Sequence, residues 1–209
     1  LCIEEGIYQI TGVTIPDNPN GYYLQTQIYA RNAVIDNITN PGSTGMSFYA
    51  EMPDPALGQN SSPDFGAYPS DGYLCTSYRK ELEFNVTDPD GDSLSYSLID
   101  PLQSVGTGNL TNSGPYTPVN WLAPYSLADI CGGTPPMDID PVTGIVSAQP
   151  AILGVYVFSV QVEEWRDTTI AQNGPKVKIG ETRRDMQYAA LNCSQDLPPE
   201  FLPFQDTTV

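Results

Sequence analysis

Three carboxylates, Asp88, Asp90 and Asp92, stand at every second position in the run Thr87-Asp88-Pro89-Asp90-Gly91-Asp92-Ser93. Carboxylate oxygens crowded into one turn are hard donors, the kind that Ca²⁺ selects. Like charges this close repel one another unless a cation, a Lys or an Arg offsets them. The expectation is a calcium ion held by Asp88, Asp90 and Asp92. The same residues also make an ion-free turn, because Pro sets φ, Gly allows positive φ and Asp accepts from nearby N–H groups. The run is not an EF-hand: no Glu stands seven positions after Asp92, and the flanking patterns alternate rather than follow a helical period.

Catalytic constellations are scarce. With His 0, neither a Ser-His-Asp nor a Cys-His arrangement exists. No phosphate-binding glycine loop is present. Asp138 with Asp140 and Glu163 with Glu164 are the paired carboxylates. Neighbours on one strand point to opposite faces, so Glu163 and Glu164 cannot flank a glycosidic bond together. They read as a salt-bridging strand end near Arg183 or Arg184. The chain is therefore expected not to be an enzyme. Tyr22, Tyr23, Tyr68, Tyr73, Tyr116 and Tyr125 lie in or beside turns, where their faces could stack on sugars. Ordinary sheet packing uses Tyr in the same way.

Lys+Arg 8 against Asp+Glu 25 leave a net charge of −17. Nucleic acid needs cations on its partner, so it is excluded. No apolar run approaches the ~18 residues of a membrane helix, so no membrane insertion is expected. The chain opens on Leu1 with no signal peptide, which predicts a processed protein or a segment of a longer one.

These residues need strands to position them. Leu82, Phe84 and Val86 alternate with polar residues before the acidic turn, and Leu94, Tyr96 and Leu98 do so after it. That period of two predicts half-buried strands. Further strands are predicted over 3–15, 22–34, 46–52 and 119–122, and around a hairpin turn at 140–144. The longest are predicted over 155–165 and 177–191. No helix is expected beyond one turn in 123–130. With 20 Pro, 18 Gly and frequent turn signals, the chain is expected to be all-β, built as tandem Ig-like (cadherin- or PKD-like) β-sandwiches. Residues 1–68 offer too few strands for a whole sandwich and read as the C-terminal part of one plus a linker from Pro53 to Gly72. Residues 69–196 read as a complete sandwich. Residues 197–209 read as an extended tail, either a donor strand or the start of a next domain. Self-association into a filament, or contact with neighbouring domains of a longer chain, would supply the missing cover.

Cys75 and Cys193 bracket the second unit, at the start of its first strand and the end of its last. Terminal strands can lie side by side, so a Cys75–Cys193 disulfide is expected. The remaining cysteines leave a Cys2–Cys131 pair.

An ordered set of short motifs carries a family resemblance. It runs through Cys2-x-Glu4-Glu5-Gly6, Pro16-Asp17-Asn18-Pro19-Asn20-Gly21-Tyr22, Ala30-Arg31-Asn32, Asn40-Pro41-Gly42-Ser43-Thr44-Gly45 and Asn60-Ser61-Ser62-Pro63. It continues through Asp88-Pro89-Asp90-Gly91-Asp92, Ala123-Pro124-Tyr125-Ser126, Ile139-Asp140-Pro141-Val142-Thr143-Gly144, Glu163-Glu164-Trp165-Arg166 and Thr182-Arg183-Arg184-Asp185. The set resembles the large surface proteins of Bacteroidetes that end in a gliding-motility-associated sorting domain. The second unit is similar to cadherin-like and Ig-like modules whose acidic turn is associated with calcium, which maps onto Asp88, Asp90 and Asp92. The resemblance implies an extracellular or cell-surface adhesive or filamentous protein, exported by type IX secretion and without catalytic residues. It also implies O-glycosylation at Asp-Ser/Thr-hydrophobic triplets, which Ser93, Thr168 and Thr207 fit loosely. The alternative is a carbohydrate-binding module that takes a surface polysaccharide.

Overall fold

The computed structural model describes residues 7, 9–66, 72–104, 116–167 and 175–193. Among them the chain is all-β, with helical geometry confined to two short 3-10 turns at Pro41–Ser43 and Pro55–Leu57. The strands are β1 (Tyr22–Ile28), β2 (Met46–Met52), β3 (Tyr73–Cys75), β4 (Lys80–Leu82), β5 (Ser93–Ile99), β6 (Asp138–Ile139), β7 (Val146–Ala148), β8 (Gly154–Asp167) and β9 (Lys176–Leu191).

They form two sheets. The larger runs in the order β1-β2-β9-β8-β5, with β3 added in parallel to the far end of β9. The smaller has the order β4-β7-β6, and all other pairings are antiparallel. The inward residues of β5, β8 and β9 (Tyr96, Tyr156, Phe158, Val160, Val162, Met186 and Tyr188) meet Leu82, Val146 and Ala148 of the smaller sheet in one buried cluster. Phe158 and Tyr188 pack edge to face with centroids 5.5 Å apart, the geometry that aromatic quadrupoles prefer. Where β6 and β7 join, Asp140 Oδ1 accepts from Val142 N and Thr143 N. Gly144 closes that turn at φ +73, and a Cβ there would stand 2.7 Å from the Tyr96 ring, so only glycine fits.

The strands flanking the acidic turn enter opposite sheets: β4 pairs with β7 and β5 with β8. The turn crosses from one layer to the other. Two expected strands are corrected. Residues 9–15 form no strand, and Ile10 and Val13 stand exposed; residues 3–6 lie outside the described residues. Residues 119–122 make isolated bridges only, although Val119 is buried as core.

The N-terminal third, expected as the C-terminal part of another sandwich, shares a sheet with the second unit. Its β2 pairs with β9 through Ala50↔Thr182 and Glu51↔Glu181, so β1 and β2 extend the larger sheet. Polar groups hold the join. Arg31, almost fully buried, clamps Asp185 of β9 through both carboxylate oxygens at 2.9 and 2.6 Å. Asn37, fully buried, accepts from Val157 N and donates to Val157 O at 3.0 and 2.8 Å, standing in for a strand beside β8. Buried polar groups must be paired, and these pair with the second unit. The expected linker also docks: Asp64 and Thr87 exchange backbone hydrogen bonds at 2.8 and 2.9 Å, which places residues 59–64 against the acidic turn.

Cys75 and Cys193 form a disulfide, with Cα atoms 5.5 Å apart. The expected Cys2–Cys131 bridge is not formed: Cys131 is a free thiol buried in the core cluster, where a cysteine packs as a small hydrophobe. Cys2 itself lies outside the described residues, as do residues 194–209, and with them the tail.

Candidate cation site

Asp88 starts the acidic turn, and its Oδ1 accepts from Asp90 N at 3.0 Å and Asp92 N at 2.8 Å. This ties the turn around one oxygen and leaves Oδ2 buried without a hydrogen-bond partner. Asp92 closes the turn beside β5, and both its oxygens meet Arg166 of β8, Nε at 2.8 Å and a terminal nitrogen at 2.5 Å. Asp90 turns the other way. Its Oδ2 accepts from Ser61 N at 2.5 Å, and it does not converge with the other two. The expected trio is corrected here: Asp88 and Asp92 come together, and Asp90 fastens the segment above them.

The third carboxylate is Glu164. It lies on β8, 0% exposed, with one oxygen within 4.8 Å of ligand atoms from Asp88 and Asp92. Asn60 donates to Glu164 Oε1 at 3.0 Å and accepts from Arg166 at 2.9 Å, so the docked segment 59–64 orients both. Glu164 Oε2 has no partner. Room for it comes from Gly180, paired with Glu164 across β9; a Cβ on Gly180 would meet Oε2 at 2.1 Å. Burial pushes the Glu164 carboxyl up to about 7; the Asn60 hydrogen bond opposes this, and the charges of Asp88 and Asp92 add to it.

The opposite face of the same strands carries a second set of acids. Glu51, Glu181 and Glu163 stand in a row across β2, β9 and β8. Lys178 reaches all three, at 3.4, 2.5 and 3.2 Å respectively, and Arg183 adds a 2.5 Å contact to Glu181. In a regular strand Lys178 and Glu181, three apart, would face opposite sides. A bulge pairs Glu164 with Gly180 but Trp165 with Lys178, skipping Ile179, and this turns Lys178 onto the face of Glu181. The expected partners of the Glu163-Glu164 pair are corrected accordingly. Glu163 meets Lys178, and Glu164 makes no ion pair among the described residues.

Other candidate residues are dispersed. Tyr23 and Tyr49 pack with centroids 5.5 Å apart, tilted by 30°. Tyr22 donates to Pro16 O at 2.6 Å, Tyr116 to Gln25 Oε1, and Tyr125 packs edge-on against Tyr156. The Tyr73 ring lies under Lys80 Nζ, and Tyr68 lies outside the described residues. Ser93 is exposed and accepts from Lys176 Nζ at 2.6 Å. Thr168 and Thr207 lie outside the described residues.

Asp88 and Asp92 are readable as candidates from the turn. Glu164 and Asn60 are not, being far away in sequence. The nearest available signal is a Glu inside an otherwise apolar strand. Among the described residues no helix is long and apolar enough to cross a membrane. The chain matches no protein-family model, no curated protein and no solved structure.

Proposed function

We propose that this chain is a structural unit of an extracellular surface assembly, made of Ig-like sandwich modules and joined to its neighbours by strand addition. The observation that carries this reading is the bare side of β1 and β2. On the face that β8 and β9 bury against the smaller sheet, β1 presents Leu24, 61% exposed, and Ile28, 49% exposed. Phe48 and Ala50 of β2 lie beside them and line a shallow apolar depression with Leu24. At the sheet margin β1 has β2 as its only strand partner among the described residues. A sheet margin with no further strand among the described residues, beside exposed apolar side chains, is a template for another strand.

The occupant we assign is the segment 197–204 of a second copy. Its Phe201, Leu202 and Phe204 supply apolar side chains, and its prolines suit an added edge strand whose outer side makes no ladder bonds. Such a contact is head-to-tail and need not close, so it builds filaments. The Cys75–Cys193 disulfide suits an oxidising extracellular setting. Electron microscopy and sedimentation of the full chain, of a form lacking 197–209 and of Leu24→Lys provide the test. Filaments in the first and their loss in both variants are expected. A full chain that stays monomeric overturns the reading. Assembly that survives the deletion would instead assign the tail to a neighbouring domain of a longer chain.

A second reading, a polysaccharide-binding module, is favoured by one groove of about 490 Å³. Tyr22, Tyr23 and Tyr49 line it together with Asn20, Glu51 and Lys178. Retention on immobilised surface polysaccharide that is lost in Tyr23→Ala would support it.

A further inference from the structure

We infer that Asp88, Asp92 and Glu164 form a binding site for one hard divalent cation, in which Glu164 rather than Asp90 is the third carboxylate. This does not rest on the assembly reading. Proximity of acids alone would not carry it, since acidic groups gather in many turns without an ion. The independent observation is the state of Glu164. Glu164 is 0% exposed, one of its oxygens lies within 4.8 Å of ligand atoms on Asp88 and Asp92, and its Oε2 has no hydrogen-bond partner among the described residues. Asp88 Oδ2, likewise buried, also has no donor. Two buried acceptors without donors in one acidic cluster make an arrangement that burial penalises heavily. A cation between them satisfies both at once.

Charge and space agree. With Glu164 ionised, as a bound cation would hold it, Asp88, Asp92 and Glu164 bring three negative charges against the single positive charge of Arg166. The remainder is two, which a divalent cation balances. Arg166 takes one lone pair of each Asp92 oxygen and leaves others open, because a carboxylate offers about four acceptor sites. Gly180 keeps the Glu164 carboxylate in place, since any side chain there would displace it. All donors are oxygens, the set that Ca²⁺ and Mg²⁺ accept and softer metals do not require. A bound ion would bridge the acidic turn to β8, with Asn60 and Arg166 drawing residues 59–64 into the same knot.

The test uses the full chain, stripped with chelator and titrated calorimetrically with CaCl₂ and, separately, MgCl₂. Thermal melts are run in parallel. The expected result is one cation per chain and a raised Tm, as mass action requires of a ligand that binds only the folded form. Binding of Ca²⁺ alone marks a roomy site and binding of Mg²⁺ a tight octahedral one; either supports the inference. Glu164→Gln keeps the shape and removes the charge. It is expected to weaken binding more than tenfold and, in chelator, to melt above the stripped wild-type chain. Asp90→Asn is expected to bind within threefold of wild type. No heat and no Tm change with either ion at about 10 mM, far above the ~1 mM dissociation constants of weak extracellular calcium modules, would overturn the inference. So would equal loss of binding in Asp90→Asn and Glu164→Gln, or unimpaired binding in Glu164→Gln.

Discussion

Glu163 and Glu164 are adjacent in the chain and live in opposite conditions. Glu163 shares a face with Glu51 and Glu181, and Lys178 and Arg183 supply positive charge to that face. Glu164 shares the other face with Asp88 and Asp92, where Arg166 is spent on Asp92 and one Glu164 oxygen has no donor. One cluster is completed by the chain itself. The other is left with acceptors that the described residues do not fill. The difference teaches that what an acidic patch is left needing depends on which cations of the chain reach it; the cation proposed for Asp88, Asp92 and Glu164 answers that need. A one-residue bulge brings Lys178 to the first cluster and opposes Gly180 to Glu164 in the second.

Both clusters hang on β9, so whatever loosens β9 blurs the difference between them. The Cys75–Cys193 disulfide ties β3 to the chain just beyond β9, with a sequence separation of 118. In the chain-entropy description a loop of this length contributes about 5 kcal/mol. Cys75→Ser combined with Cys193→Ser is therefore expected to lower unfolding stability by about that amount in urea titrations, the largest of the effects considered. A loss below about 1 kcal/mol would show that pairing with β8 holds β9 without help.

A smaller effect breaks the self-completed side. Lys178→Met keeps most of the stem and removes the charge that three glutamates share. Leaving a buried carboxylate short of its partner costs about 3 kcal/mol. Burial pushes the Glu181 carboxyl up, but the hydrogen bonds from Lys178 and Arg183 overcome it and hold the group below its ordinary range. A carboxyl depressed in the folded state contributes stability that is fully present above its unfolded pKa, about 4.3. That contribution is lost as pH falls through the lower folded value. The penalty of Lys178→Met should thus be largest at neutral pH and shrink at an acid pH below the lowered folded value, where Glu181 takes a proton in both folded and unfolded chains. Urea midpoints of wild type and variant at the two pH values measure this. An equal penalty at both would assign the cost to the lost packing of the lysine stem instead.

Much of the sheet was legible. The apolar runs over 155–165 and 177–191 became β8 and β9, and 46–52 became β2 with unchanged bounds. Their signal is local, a period of two over many residues, and tertiary contacts reinforced it. Partnership between strands was not legible. Leu82 and Leu94 alternate alike, yet one joins β7 and the other β8, because a turn's residues do not say whether it folds strands together or carries the chain between layers. The pairing of the N-terminal strands with β9 was hidden for a related reason: Arg31 reads as part of a strand over 22–34 and Asn37 as a loop residue, and neither names its partner until Asp185 and Val157 appear beside them. At the candidate site, spacing singled out Asp88, Asp90 and Asp92; the structure brings Asp88 and Asp92 together with Glu164 and turns Asp90 to Ser61 N. Glu164 was read as an ordinary strand-end charge, since nothing nearby in sequence shows that the Lys178 charge is drawn to its neighbour.

The smallest effect sharpens the comparison from inside the turn. Asp88 and Asp90 are two residues apart, equally acidic, and differ in what they hold. Asp90 makes one hydrogen bond to Ser61 N from an exposed position. Removing it frees an N–H that water can reach, so Asp90→Ala is expected to cost no more than about 1 kcal/mol. Loss of a like charge near Asp88 and Asp92 offsets part of even that. Asp88 is different, because one oxygen holds both Asp90 N and Asp92 N and the other is buried. Asp88→Asn preserves the acceptor oxygen and should leave the turn intact while removing one of the three facing charges. In chelator it is expected to be as stable as wild type or slightly more so; Asp88→Ala, which drops both backbone bonds, should lose about 2 kcal/mol. Chemical denaturation of the three variants in chelator gives the ranking directly. Should Asp90→Ala prove the most damaging, the turn is organised around Ser61, and the division of labour drawn between its aspartates is wrong.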